Sequence, residues 1–217
     1  MGARQAALDP PRDCALCPRL VQFRSQHRQA QPQWHNAPVP AFGALEARLL
    51  IVGLAPGLKG ANRTGRPFTG DYAGRLLYPS LLKVGFARGR YDESAADELR
   101  LQDCRVTNAV RCVPPENKPT PAEFTHCRPY LEREIRAMGR LRCILALGTG
   151  AHAQCLTVLG LAPRTRWPFA HGAVHELDSG LVLIDSYHCS RQNTNTGRLT
   201  EAMFERVLGE AKRRLGS

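Results

Sequence analysis

Eight cysteines and seven histidines are the residues of this 217-residue chain best suited to chemistry. Cys14 and Cys17 have CxxC spacing, and Cys112 and Cys127 follow far downstream, outside the apolar runs. Thiolates at these spacings hold zinc or an iron–sulfur cluster, and spacing alone does not choose between them. A redox CxxC is the rival, but such motifs open a helix straight after a strand, and no strand-like run precedes Cys14. Cys104 and Cys143 fall in apolar runs and Cys155 in a helical stretch, the setting of small core residues, while Cys189 follows His188 in a polar segment. A second constellation starts at Leu49. There an apolar run is broken by Gly53-Leu54-Ala55-Pro56-Gly57, and a polar, glycine-rich loop ends in Phe68-Thr69-Gly70-Asp71. Ligands of open parallel sheets bind beyond the carboxyl ends of the strands, so this loop is the first place to look for a site. The bland alternative is an ordinary strand-to-helix turn. A phosphate-binding loop fits less well, because the Gly-Lys-Ser/Thr ending of a P-loop and the spacing of a dinucleotide fingerprint are missing.

The elements that must position these residues alternate. Strands are expected over 49–52, 104–110, 143–147 and 181–184, each a short apolar run of the kind buried on both faces of a parallel sheet. Helices are expected over 18–29, 73–84, 120–138, 151–159 and 199–215. The clearest start is Thr120-Pro121-Ala122-Glu123, with Thr as N-cap, Pro in the first position and Glu three residues on. The segment 32–42 reads as a loop and the charged stretch 88–103 as peripheral. Four alternations of strand and helix point to an α/β sandwich with right-handed crossovers. No internal repeat or linker divides the chain, so one domain over 1–217 is expected.

Charge names a class of partner. Thirty Lys and Arg against nineteen Asp and Glu leave +11, and arginine supplies most of the excess. Such a balance suits a polyanion, nucleic acid before an anionic membrane surface, and arginine favours bidentate phosphate contacts. No stretch has the roughly 18 apolar residues of a membrane span. The opening MGARQAALDPPRD shows neither an apolar leader nor a complete acylation motif, position 6 being Ala. A cytoplasmic, nucleoid-associated bacterial protein is expected, monomeric, with reduced cysteines.

Three blocks carry a family resemblance. The first is Gly53-Leu54-Ala55-Pro56-Gly57 with Asn62-Arg63-Thr64-Gly65-Arg66-Pro67-Phe68-Thr69-Gly70-Asp71. The second runs from Ala109 through Cys112-Val113-Pro114-Pro115-Glu116-Asn117 to Pro121. The third is His188-Cys189-Ser190-Arg191-Gln192-Asn193-Thr194-Asn195-Thr196-Gly197. With the cysteine pattern, the chain from about residue 14 to 212 resembles the uracil-DNA glycosylase superfamily, most closely its family 5 enzymes of bacteria and archaea. The resemblance implies a three-layer α/β/α sandwich around a four-stranded parallel sheet. It implies a 4Fe–4S cluster on Cys14, Cys17, Cys112 and Cys127. It also implies removal of uracil, and of other deaminated bases, from DNA. A DNA-binding member that recognises damage without cutting is the alternative, because Leu54 stands where family 4 has an acidic residue in Gly-Glu-Ala-Pro-Gly. Family 5 transfers that task to the Asp of Phe-Thr-Gly-Asp, which is Asp71. The usual His-Pro-Ser is replaced by His188-Cys189-Ser190, and Asn108 occupies a strand end where family 4 places a uracil-reading Asn.

Breaking a glycosidic bond places positive charge on the sugar and negative charge on the departing base. Phe68 offers a face for the flipped base to stack on. Asn108 or Asn117 offers the paired donor and acceptor that read its edge. His188 would donate to the leaving anion. Asp71 would orient water or offset the sugar cation, its alternative being a helix N-cap. The turn Gly53, Leu54, Ala55, Pro56 and Gly57, with Ser190 and Asn193, completes the expected base pocket. Arg63, Arg66, Arg191 and Gln192 are the expected DNA contacts.

Overall fold

The computed structural model describes residues 8–216, so the first half of the opening stretch read above for leader and acylation signals lies outside the described residues. One six-stranded sheet forms the middle layer. Four of its strands are the apolar runs read from the sequence: β2 (Leu49–Gly53), β5 (Cys104–Asn108), β6 (Cys143–Leu147) and β8 (Val182–Ser186). They pair in parallel in the order β5-β2-β6-β8, with Leu49 opposite both Cys104 and Cys143. Two short strands extend the expected four-stranded sheet to six. Strand β1 (Phe42–Gly43) runs antiparallel to β5, and β7 (Val174–Glu176) antiparallel to β8. Two- and three-residue strands carry too little periodicity to stand out in the sequence.

Every position of β2, β5 and β6 is buried, because helices cover both faces. Leu49, Ile51, Val106, Leu145 and Ile184 pack on one side against α3 (Tyr72–Val84) and α7 (Glu201–Arg214), through Leu77, Leu81, Phe204 and Leu208. Leu50, Val52, Ile144, Ala146 and Leu183 pack on the other, against Leu131 of α4 (Pro121–Ala137) and Ala151, Cys155 and Leu156 of α5 (Thr149–Val158). This is the expected three-layer sandwich. Helix α4 begins as read, with a capping box between Thr120 and Glu123. Helix α1 (Pro18–Ala30) lies against the end of β5, where Leu20, Val110 and Cys127 form a small third core, and α2 (Ala61–Thr64) is a single turn in the loop after β2.

The charged stretch 88–103 is more than peripheral. It contains a small hairpin, β3 (Ala87–Arg88) with β4 (Arg100–Leu101), and it buries Leu99 and Asp97. Cys189, expected in a polar segment, is fully buried against the core on the α3/α7 side.

Sheet order places the site. The chain leaves β2 for β5 on one side, then crosses back to β6 on the other, so the order reverses about β2. The loops beyond the carboxyl ends of these strands splay apart there and leave a crevice.

Candidate active site

The crevice encloses about 460 Å³ and is walled by Leu54, Ala55, Pro56 and Gly57 after β2, Phe68 and Asp71 before α3, Asn108 at the end of β5, and His188 and Ser190 beyond β8. Residues from all three sequence blocks therefore meet in one pocket.

Phe68 forms its back wall. Its φ of 51° is rarely adopted by a bulky residue, and the surroundings hold it there. The Tyr78 hydroxyl donates to the preceding carbonyl, Pro67 O, and the Tyr91 hydroxyl donates to Phe68 O at 3.4 Å. The ring lies over Gly53, where any Cβ would collide with both Phe68 and Asn108. Its centroid is 5.9 Å from the His188 ring, at 35°.

Asn108 is 3% exposed, and its Oδ1 has no hydrogen-bond partner among the described residues. A buried acceptor without a donor costs roughly 1–3 kcal/mol, which marks Asn108 as an atom waiting for a ligand. Asn117 stands at the rim, exposed, with a left-handed φ of 57°. Of the two asparagines, it is Asn108 that lies inside.

Asp71 does two things. Its Oδ1 accepts from Gly74 N at 3.3 Å, so it is the N-cap of α3. Its Oδ2 lies over Gly57 and Gly60, 2.9 Å from where a Gly57 Cβ would sit. Burial raises its carboxyl pKa above the ordinary value, opposed by the backbone N–H groups of Gly74 and Ala73. The cap and the pocket carboxylate are one residue, a combination the sequence reading had posed as alternatives.

His188 is neutral at physiological pH, because burial pulls its pKa down to about 4. Asn193 is not among the residues that line the crevice. Its Nδ2 donates to His188 O at 2.9 Å and so fixes the backbone that carries the imidazole, a correction to its expected place against the base. Ser190 reaches the wall as expected, and also caps α6 (Arg191–Asn195) by accepting from Asn193 N at 3.3 Å. His171 was missed: its Nδ1 accepts from Tyr187 N at 3.2 Å, next to His188, and no motif announces it. Tyr72 and Ala73, also missed, line the mouth simply because they follow Asp71.

A family model described as the uracil DNA glycosylase superfamily matches residues 40–212, a span holding every residue of this pocket. The chain belongs to the uracil-DNA glycosylase superfamily. It is 47% identical to the type-5 uracil-DNA glycosylase of Thermus thermophilus over 98% of this chain and 99% of that protein. It is 44% identical to the type-5 protein of Mycobacterium leprae, over 94% of this chain and 92% of that one. With the type-4 uracil-DNA glycosylase of Pyrobaculum aerophilum the likeness falls to 35% and covers 69% of this chain and 62% of that protein.

Within this superfamily member the expected DNA contacts divide. Arg191 and Gln192 are exposed at the pocket mouth. Arg63 is exposed outside the lining and donates to Gly70 O at 3.1 Å. Arg66 is not a surface contact at all. It is 5% exposed, forks onto Asp97 at 2.6 and 2.7 Å, donates to Thr69 Oγ1 at 2.8 Å, and lies 5.1–5.7 Å from the ring centroids of Phe42, Tyr78 and Tyr91. Its work is to brace the loop that carries Phe68 and Asp71. Sequence reading missed this because the partner, Asp97, sits in a stretch that looks like solvated charge.

The four singled-out cysteines converge on a second cavity beside the pocket, walled also by Leu20, Arg24 and Val110. Cys14 and Cys17 precede the matched family span. Burial raises the Cys17 thiol to about 11 and the Cys112 thiol to about 12, so ionised sulfur there needs positive charge. Arg24 Nη1 donates to Cys112 Sγ at 3.6 Å and Arg111 N to Cys127 Sγ at 3.3 Å. The Arg111 guanidinium is buried between Asp9 and Glu134, and Glu134 also holds Arg105.

Proposed function

We infer that this protein removes uracil from DNA by hydrolysing the bond between the base and C1′, leaving an abasic site. The observation that carries this is Asn108: a buried amide whose Oδ1 has no partner among the described residues, lining a pocket whose other walls are an aromatic ring, a neutral imidazole and a carboxylate. The edge of uracil presents an N–H donor beside a carbonyl acceptor, and an asparagine side chain supplies the complement of both.

The base leaves the duplex stack and enters face-on to Phe68, at a cost of a few kcal/mol of unstacking. Asn108 Oδ1 accepts its N–H, and Nδ2 donates to its carbonyl. A mismatch at this buried edge is what excludes ordinary bases. As the glycosidic bond lengthens, negative charge collects on the base, and the neutral His188 donates its one N–H to that charge without surrendering the proton. Asp71 keeps Oδ1 on its cap, and Oδ2 faces the sugar, where it orients water and offsets the developing cation. Arg191 and Gln192 at the mouth meet the backbone of the opened strand. A crevice of about 460 Å³ exceeds what one pyrimidine fills, which supports entry of other deaminated bases as well.

We propose further that Cys14, Cys17, Cys112 and Cys127, which line the second cavity, would hold a 4Fe–4S cluster. Four thiolates on a single zinc at about 2.3 Å lie only about 3.8 Å apart. Among the described residues, the group of three or more metal-ligating atoms that lie within 4.8 Å of one another contains none of these sulfurs. A wider set of four thiols, with N–H donors aimed at two of them, suits a multi-iron centre. When bound, the cluster supplies thiolate–iron bonds that tie α1 to the end of β5. Cys112 is four residues beyond Asn108, so the same stretch of chain serves both cavities.

The test is single-turnover incubation with a duplex carrying one uracil, followed by alkaline cleavage of abasic sites. Cleavage at the uracil position is expected. Tight binding to that duplex with no abasic product would replace hydrolysis with damage recognition.

A further inference from the structure

Away from the pocket, three side chains that can ligate a metal meet in the protein interior. His152 is on α5, His175 on the edge strand β7 and Asp185 on β8, and their ligand atoms all lie within 4.8 Å of one another. The Asp185 side chain is fully buried, with His152 at 5% and His175 at 10% exposure. Trp167 and Phe169 enclose the group, their rings 5.9 Å from His175 and 5.6 Å from His152.

The polar atoms of the three side chains face one another and one backbone carbonyl, and the geometry admits a proton or a cation at their centre. His152 Nε2 lies 2.9 Å from Trp167 O, a carbonyl that can only accept, so the ring proton is on Nε2. Its other nitrogen, Nδ1, lies 2.8 Å from Asp185 Oδ1. Either a proton or a metal ion between Nδ1 and Oδ1 satisfies both atoms, and three ligand atoms within 4.8 Å of one another are what a metal ion needs. The other carboxylate oxygen, Oδ2, is 3.0 Å from His175 Nε2. The Nε2–H to carbonyl bond is also the outer-shell arrangement that orients a metal-ligating histidine and leaves its second nitrogen free.

We propose that His152 Nδ1, His175 Nε2 and an Asp185 oxygen bind one divalent cation of the zinc class. Imidazole and carboxylate suit zinc and its first-row neighbours, and three protein ligands leave one position open. A tetrahedral ion at about 2.1 Å needs ligand atoms about 3.4 Å apart, and one ligand atom from each of the three residues lies within 4.8 Å of the others. The ion fastens β7 and α5 to β8, three residues before His188. It is distinct from the cysteine cavity, and it does not depend on which base the pocket takes.

The test uses the full chain purified anaerobically, so that the cysteine site keeps its occupant, with Co²⁺ and Zn²⁺ as probes. One Co²⁺ per chain is expected, with weak visible bands and no intense thiolate-to-cobalt band. Zn²⁺ at about 100-fold over its Kd should raise the melting temperature by about 5–10 °C. His175→Gln changes the least buried ligand, should fold, and should abolish both responses while keeping the colour of the cysteine site. Two outcomes overturn the proposal. One is a melting temperature indifferent to Zn²⁺ and to chelator with no saturable Co²⁺ signal, which leaves a proton between His152 and Asp185. The other is a cobalt spectrum that persists in His175→Gln.

Discussion

Replacing Asn108 by alanine should make the protein more stable and less active at once. In the free protein its Oδ1 is buried without a donor, a deficit of roughly 1–3 kcal/mol. Alanine removes that atom, and the space it leaves opens into the pocket rather than closing as a dry void. A net gain of about 1 kcal/mol is expected, a rise of about 2–4 °C for a chain of this size. Excision moves the other way. The variant loses two hydrogen bonds to the base, and the base edge is left unpaired against an apolar wall. Each neutral bond is worth about 0.5–1.5 kcal/mol, and the unpaired groups add to that. Together they come to about 2–4 kcal/mol, or about a 30- to 1,000-fold fall in kcat/KM at about 1.4 kcal/mol per decade. The assays are urea unfolding and single-turnover excision from a uracil-containing duplex, run on the same preparation. Excision within threefold of the parent protein would remove Asn108 from base reading. A loss of stability beyond about 1 kcal/mol would show that Oδ1 has a partner in the free protein.

Asp71→Asn preserves the α3 cap, since Asn caps about as well as Asp, so single-turnover excision should fall by roughly 100- to 10,000-fold with melting nearly unchanged. Because burial raises the Asp71 pKa, ionising it costs the folded state stability as pH climbs through that raised value, and urea unfolding at neutral pH should find the Asn variant no less stable. For His188 the sign reverses: with a folded pKa of about 4 against 6.5, its contribution is present above pH 6.5 and lost as pH falls towards 4, so His188→Ala should flatten the stability profile across that window and slow excision by about 100-fold or more. Asp97→Ala strands the buried Arg66 guanidinium and should cost about 3–5 kcal/mol in urea unfolding, whereas Arg66→Met should leave the salt dependence of DNA binding unchanged because Arg66 contacts no phosphate. Cys112→Ser should lower bound iron from about four per chain, measured by metal analysis on anaerobic protein.

The parts of this molecule that could be read from sequence are those whose physics is local. Four buried strands announce themselves as apolar runs, and Thr120 and Glu123 form the box that their spacing foretells. The pocket was legible because its residues lie in three uninterrupted blocks at strand ends. What was hidden depends on contacts distant in sequence. Arg66 looks like any loop arginine until Asp97 and three aromatic rings surround it. Asn193 looks like a base contact until its amide meets His188 O. The edge strands β1 and β7 exist because a neighbouring strand offers them a ladder, and nothing in Phe42-Gly43 alone requires it.

The bare backbone under the pocket also governs how this enzyme can change over evolutionary time. At Gly53 a side chain would strike Asn108 and Phe68 together, and at Gly60 it would strike Asp71. An alanine at position 60 must push aside the residue that begins α3, so a single step damages catalysis and folding in one move. The room at both positions is filled by the side chains of Asn108, Phe68 and Asp71, so only a change in the site residues themselves makes space. Drift towards new base preferences is therefore closed at the floor and open at the rim. Arg191 and Gln192 are exposed there, and their side chains can be exchanged one at a time without disturbing the start of α3 or the strand ends below.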